Sequence, residues 1–218
     1  MSQNIMTLRE WQAFVKNPTE LIVQASEPNG SDGWNDFPIG MGWKYVSFYN
    51  KNNKIINGEH NKTVLCAVSE WTDSRRRGNN LINRKIILEN LKRNSIQNNF
   101  IDGNIYFETL PNYKFVISPE GNGIDCHRHY EALLAGCIPI IEKNPLIEKK
   151  YEGCPILYTT SYEEINEEYL NKKYLEMLEQ KFDFSRLSLS FYDKNQIDKI
   201  KYYGNFWVKR LSNINWYQ

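Results

Sequence analysis

From residue 63 onward, short unbroken apolar runs alternate with segments whose apolar residues recur every three or four positions. TVLCAVSEW, KFVIS, CIPIIE and PILYTTS are apolar runs of strand length, and NIYFETL reads as a further short strand. Between them, LINRKIILENLKRNS shows helical spacing through Leu81, Ile82, Lys85, Ile86 and Leu88. CHRHYEALLAG predicts a helix closed by Gly136, and EEINEEYLNKKYLEMLEQKF a long one through Tyr169, Tyr174, Leu175, Leu178 and Phe182. Runs without polar alternation are typical of strands covered on both faces. The alternation over 63–182 therefore predicts an α/β fold, a Rossmann-like parallel sheet with flanking helices.

The remainder is less regular. TLREWQAFVKN predicts a short helix with Thr7 as its N-cap, and TELIVQAS and WKYVSFYN predict strands on either side of the turn-rich EPNGSDGWNDFPIGMG. From Asn195 helical spacing returns through Ile197, Ile200, Phe206 and Leu211. The organisation expected is a short N-terminal region over 1–62, a Rossmann-like domain over 63–195 and a C-terminal helix over 196–218 that packs back on it.

Composition narrows the class. Hydrophobic residues make up 41% of 218, enough for a sizeable core, and the formal net charge is only +1, so neither the signature of disorder nor that of a nucleic-acid binder is present. The longest basic run, Arg75 to Arg77, is too short to track a phosphate backbone. Cys66, Cys126, Cys137 and Cys154 form no CxxC pair, which argues against a structural zinc site or a disulfide framework. No apolar run approaches the ~20 residues that span a bilayer. A soluble, cytoplasmic protein with no membrane span is the expectation.

Chemistry concentrates in SPEGNGIDCHRHYE, the loop and first helical turns after KFVIS. In open parallel sheets ligands bind beyond the carboxyl ends of strands, where such loops gather. With Asp125 as N-cap, Cys126, His127 and Arg128 form the first turn, whose free N–H groups and dipole favour an anion. Gly121 and Gly123 permit close approach of the backbone to a ligand or a positive φ. Arg128 shares a helix face with Asp125 and with Glu131, so a guanidinium for a diphosphate and a carboxylate for sugar hydroxyls stand together. The same residues also fit a plain turn followed by a helix with surface ion pairs. His127 and His129, two apart on a helix, point to different sides and cannot chelate one metal ion. The second loop of this kind, TDSRRRGNN, could steer an anion toward the first.

The run YKFVISPEGNGIDCHRHYEALLAGCIPIIEKNP resembles the donor-binding segment of exostosin-like glycosyltransferases, particularly their xylose-transferring relatives. It is more loosely similar to the matching segment of fucosyltransferases, which use a GDP-sugar. The resemblance implies the GT-B architecture, two Rossmann-like halves with the nucleotide-sugar on the C-terminal one, here with a reduced N-terminal region. It places Arg128 on the diphosphate, where it stabilises the leaving group, and Glu131 on the ribose. Arg75 or Arg77 would add a phosphate contact, and Ser118, Glu120, Gly121, Asn122, Gly123, Asp125 and His127 would line the pocket. The implied reaction transfers a sugar, a xylose-like pentose from UDP, to a glycan or protein-glycan hydroxyl with inversion and without metal or other cofactor. Asp36, Glu70, Asp125 and His127 are the candidate bases. Because the N-terminal region is short for an acceptor half, a partner domain or chain could supply that site. A module that binds a nucleotide-sugar or glycan without catalysis is the competing expectation.

Overall fold

The computed structural model describes residues 4–16, 21–24, 36–42, 44–45, 48, 58–78, 81–204, 206–209 and 215–217. At its centre four parallel strands lie in the order β3 (Lys62–Leu65), β4 (Tyr113–Ile117), β5 (Ile138–Glu142) and β6 (Leu157–Thr159). The register pairs Val64 with Phe115, Phe115 with Ile138 and Ile140 with Leu157. Every residue of β5 is buried, which is why the chain uses an unbroken IPII here. Each such isoleucine contributes about 1.5–3 kcal/mol by leaving water.

The crossovers are helical. α2 (Arg84–Arg93) and α3 (Gly103–Thr109) lie between β3 and β4, α4 (His127–Leu134) between β4 and β5, α5 (Pro145–Lys150) between β5 and β6. α6 (Glu167–Leu178) follows β6. One core on one side of the sheet includes Val116, Tyr130, Leu133 and Ile141; a second includes Phe115, Ile117, Ile138, Ile140, Ile87, Leu170 and Tyr174. The α/β expectation with a Rossmann-like parallel sheet is thus met. Gly136, at φ +77°, ends α4 as its position suggested, and a Cβ there would lie 3.0 Å from His60 Nε2.

Before the sheet come β1 (Ile5–Thr7), α1 (Leu8–Lys16) and β2 (Leu21–Gln24). Thr7 caps α1 reciprocally: its Oγ1 accepts from Glu10 N–H at 3.1 Å, and Glu10 accepts from Thr7 N–H at 2.7 Å. Trp11 of α1 donates to Leu133 O at 2.7 Å, fastening this helix to α4. β1 pairs antiparallel with β7 (Lys181–Asp183). The tail holds α7 (Lys194–Gly204), then β8 (Phe206–Lys209) and β9 (Asn215–Tyr217), which form an antiparallel sheet with β2.

Several expectations are corrected. NIYFETL is helical, as α3; Tyr106, Phe107 and Leu110 bury one stripe of it and its 3₁₀ extension. Lys44, Tyr45 and Phe48, the described part of the strand expected at WKYVSFYN, are also helical. Phe206 belongs to a strand rather than to an extended C-terminal helix, while Leu211 lies outside the described residues. In α2 the buried stripe is Arg84, Ile87 and Leu91, leaving Leu81 and Ile82 exposed. Within α6, Leu170, Tyr174 and Met177 face inward and Leu175 does not. Among the described residues no helix is long and apolar enough to cross a membrane.

Candidate functional site

The loop Ser118–Cys126 leaves the carboxyl end of β4 and enters α4, with the loop Cys66–Asn83 from β3 beside it. Three arginines of that neighbouring loop and helix take hold of successive carbonyl oxygens. Arg84 donates from Nη2 to Pro119 O at 3.0 Å, from Nε to Glu120 O at 2.8 Å and from Nη1 to Ser69 O at 3.0 Å. Arg77 reaches Glu120 O at 3.2 Å, and Arg76 reaches Gly121 O at 3.2 Å. Gly121 is required by this arrangement, since a Cβ would sit 2.9 Å from Arg84 Nη2.

With the carbonyls of 119 to 121 drawn toward these arginines, the following N–H groups are left over. Among the described residues, the backbone N–H groups from Asn122 to Arg128 donate no hydrogen bond within the protein. The last of them form the N-terminal turn of α4, where the helix dipole also favours negative charge. Beside this run stand two guanidinium groups, Arg84 and Arg128, for which no described carboxylate lies within ion-pair distance. Arg128 is half-buried, donating from Nη2 to Ala67 O at 2.9 Å and from Nε to the Tyr106 hydroxyl at 3.2 Å, with its guanidinium 5.6 Å from the Tyr106 ring centre. Burial opposes its charge, but Tyr106 and Glu131 outweigh burial and hold its pKa above the ordinary arginine value. Arg84, only 5% exposed, is pushed below the ordinary value by burial, with the charge of Arg128 acting in the same direction. Two buried or half-buried cations with no described carboxylate within ion-pair distance, next to seven free N–H groups, are an arrangement that can hold an anion.

The site residues expected from sequence divide into three groups. Arg128, Asn122 and Gly123 lie on this cradle, although neither Gly123 nor Gly121 has a positive φ. A second group is committed to structure. Arg77 is 7% exposed and pairs with Asp73 at 2.9 Å and Glu142 at 2.8 Å, so it stands at the centre of a buried network. Ser118 is fully buried and hydrogen bonds to His129 Nδ1 at 2.7 Å. Because His129 Nε2 faces the carbonyl of Ile124 at 3.3 Å, its proton sits on Nε2 and Ser118 donates to Nδ1; burial depresses the His129 pKa to about 4. Glu120 receives Arg76 Nη2 at 2.5 Å.

Asp125 does not cap α4; the N-cap is Cys126, without a side-chain bond. Both Asp125 oxygens are taken inside the protein, by Tyr151 Oη at 2.8 Å, Lys150 Nζ at 2.9 Å and Ile39 N–H at 2.9 Å. With 3% exposure it ties loop to core. The third group faces the segment Asp36–Gly42. His127 Nδ1 lies 2.9 Å from Gly40 O, and Glu131 Oε1 accepts from Gly42 N–H at 3.0 Å. Burial pushes the Glu131 carboxyl up, opposed by His127 and the Gly42 N–H. Arg75 and Asp36 are exposed, Asp36 lying 3.7 Å from Lys149, and Glu70 is half-buried. Among the described residues no three His, Cys, Asp or Glu side chains converge on a metal-sized position. Burial raises all four thiols, Cys66, Cys126 and Cys154 to about 12.

Arg84 escaped the sequence reading. It sits in a segment taken for an amphipathic helix, and the one available signal was an arginine on the stripe that the helix buries. No protein-family model and no curated protein matches the chain.

Proposed function

We propose that this chain is a glycosyltransferase of GT-B type that holds a nucleotide-sugar donor by its diphosphate at the N-terminus of α4. One observation carries the reading: Arg84 and Arg128 lack a carboxylate partner among the described residues, directly beside the free N–H groups of Asn122 to Arg128. A diphosphate supplies the two or more negative charges and the several acceptor oxygens that this arrangement leaves unanswered. The resemblance of the loop and its flanks to exostosin-like, xylose-transferring enzymes makes UDP with a pentose the favoured donor. Transfer to an acceptor hydroxyl builds negative charge on the departing diphosphate, and fixed donors aimed at that position stabilise it without reorganisation. This chemistry needs no bound metal, so turnover is expected to survive exhaustive chelation.

Thermal unfolding with and without ligand tests the reading. A ligand at a hundred times its Kd adds about 2.7 kcal/mol, and at this chain length each kcal/mol moves Tm by about 2–4 °C. UDP or UDP-xylose should therefore raise Tm by roughly 5–10 °C, and Arg128→Ala should abolish the rise while still unfolding cooperatively. Absence of a shift with every uridine and guanosine nucleotide, or a full shift in Arg128→Ala, refutes it. Preference for GDP-sugars would move the assignment toward a fucosyltransferase-like enzyme. Binding without UDP release on any acceptor would leave a non-catalytic module.

A further inference from the structure

The segment Phe37–Gly42 is held against the donor loop and α4 by three bonds, each to a residue that sequence had assigned to the ligand. Asp125 takes Ile39 N–H at 2.9 Å, His127 meets Gly40 O at 2.9 Å, and Glu131 takes Gly42 N–H at 3.0 Å. Phe37 and Met41 are buried, so the strap is anchored by apolar packing as well. The Arg128 guanidinium, from the next position on α4, reaches the Ala67 carbonyl and the Tyr106 hydroxyl. Successive residues on a helix diverge by about 100°, so His127 and Arg128 leave the same turn in different directions.

The bond to Gly40 decides the state of the His127 ring. A carbonyl oxygen can only accept, so Nδ1 carries the proton and Nε2 of the neutral ring keeps its lone pair. Among the described residues Nε2 has no hydrogen-bond partner, and the side chain is half-buried rather than enclosed. Asp125, Glu131 and Asp36 are placed less well. Asp125 is saturated, Glu131 is 6% exposed with one oxygen on Gly42, and Asp36 is an exposed residue facing Lys149.

We infer that His127 is the general base for the transfer, oriented by the Gly40 carbonyl, with the strap 37–42 forming the acceptor-side wall. This rests on the nucleotide-sugar reading of the adjoining cradle. In the step, the acceptor hydroxyl gives its proton to Nε2, and its oxygen electron pair forms the bond to the anomeric carbon. The bond from that carbon to the phosphate oxygen breaks, its electron pair leaving with the nucleoside diphosphate beside Arg128. The imidazolium then releases its proton to solvent. A strap of this kind gives the segment 37–42 a direct part in the acceptor side.

The test compares His127→Ala and His127→Asn with the full wild-type chain. UDP release from UDP-xylose, with water or p-nitrophenyl xyloside as acceptor, reads turnover; calorimetry with UDP reads the cradle. In Asn, Nδ2 stands near the place of His Nδ1 and can still donate to Gly40 O, so His127→Asn keeps the strap and removes only the base. Both variants should lose 10²-fold or more in kcat, keep UDP affinity within about threefold, and regain part of the rate in His127→Ala with added imidazole. Near-normal kcat in either variant, or recovery in His127→Asn alone, overturns the base and leaves His127 a strap anchor. Wild-type protein that binds UDP and releases none from UDP-xylose also overturns it. Failure of the wild type to bind UDP removes the donor reading itself, a separate result.

Discussion

Replacing Arg77 with methionine separates the two roles that this residue could have. As a phosphate contact it would be dispensable for folding. In the structure its Nε lies 2.9 Å from Asp73 Oδ2 and its Nη1 2.8 Å from Glu142 Oε1, and Asp73 is 1% exposed. Methionine keeps much of the aliphatic packing and removes both bonds to carboxylates together with the one to Glu120 O at 3.2 Å; each bond from a charged donor contributes about 1.5–3 kcal/mol. Removing one partner of a buried ion pair costs about 3–5 kcal/mol in all, because the remaining charge stays desolvated. Asp73 keeps the N–H of Arg84 at 2.9 Å, and Glu142 keeps Glu120 N–H at 3.0 Å and Tyr162 Oη at 3.1 Å, which holds the loss near the lower half of that range. At about 2–4 °C per kcal/mol the melting temperature should fall by roughly 6–16 °C. Circular dichroism melts with matched urea titrations measure this, the urea midpoint falling with an unchanged slope. A variant that melts within about 2 °C of wild type and has lost nucleotide affinity would restore Arg77 to the ligand and refute the buried network as its role.

Arg84→Met should loosen the loop at Pro119 and Glu120, since the carbonyls of Ser69 and Pro119 lose their donor and that of Glu120 keeps only Arg77; UDP affinity measured by calorimetry should drop at least tenfold, with Tm lowered by several degrees. His129 makes a pH prediction. Its folded pKa, depressed by burial to about 4 from 6.5, means that the stability it confers is complete above about pH 6.5 and drains as pH falls toward 4. The loss approaches about 3 kcal/mol. Urea midpoints at pH 7.5, 5.5 and 4.5 should show it, and a wild-type midpoint flat across that range would count against a neutral buried imidazole.

The strand–helix alternation, the parallel sheet and the loop between β4 and α4 were legible because burial on both faces leaves unbroken apolar runs, and because a parallel connection needs a crossover. Gly136 was legible for a similar local reason: a helix end in the left-handed region favours glycine. Short apolar runs were not decidable by period, so NIYFETL, which carries aromatic and β-branched residues, looked like a strand until packing of Tyr106 and Phe107 made it a helix.

Within the site, sequence supplied the residue types and the N-terminal turn of α4; the partners came only from the fold. Ser118, Asp125, Arg77 and His129 have the chemistry of a binding site, yet each is satisfied by residues that are distant in sequence or hidden from solvent, such as Lys150, Glu142 or the Ile124 carbonyl. Arg84 and Arg128 differ from Arg77 in having carbonyl and hydroxyl partners in place of carboxylates. Whether a buried charge is neutralised depends on which groups the chain brings within a few ångströms of it, and long-range contacts decide that. The sequence by itself determined the sheet and the loop that follows β4; tertiary structure alone decided which charges beside that loop lack a carboxylate partner among the described residues.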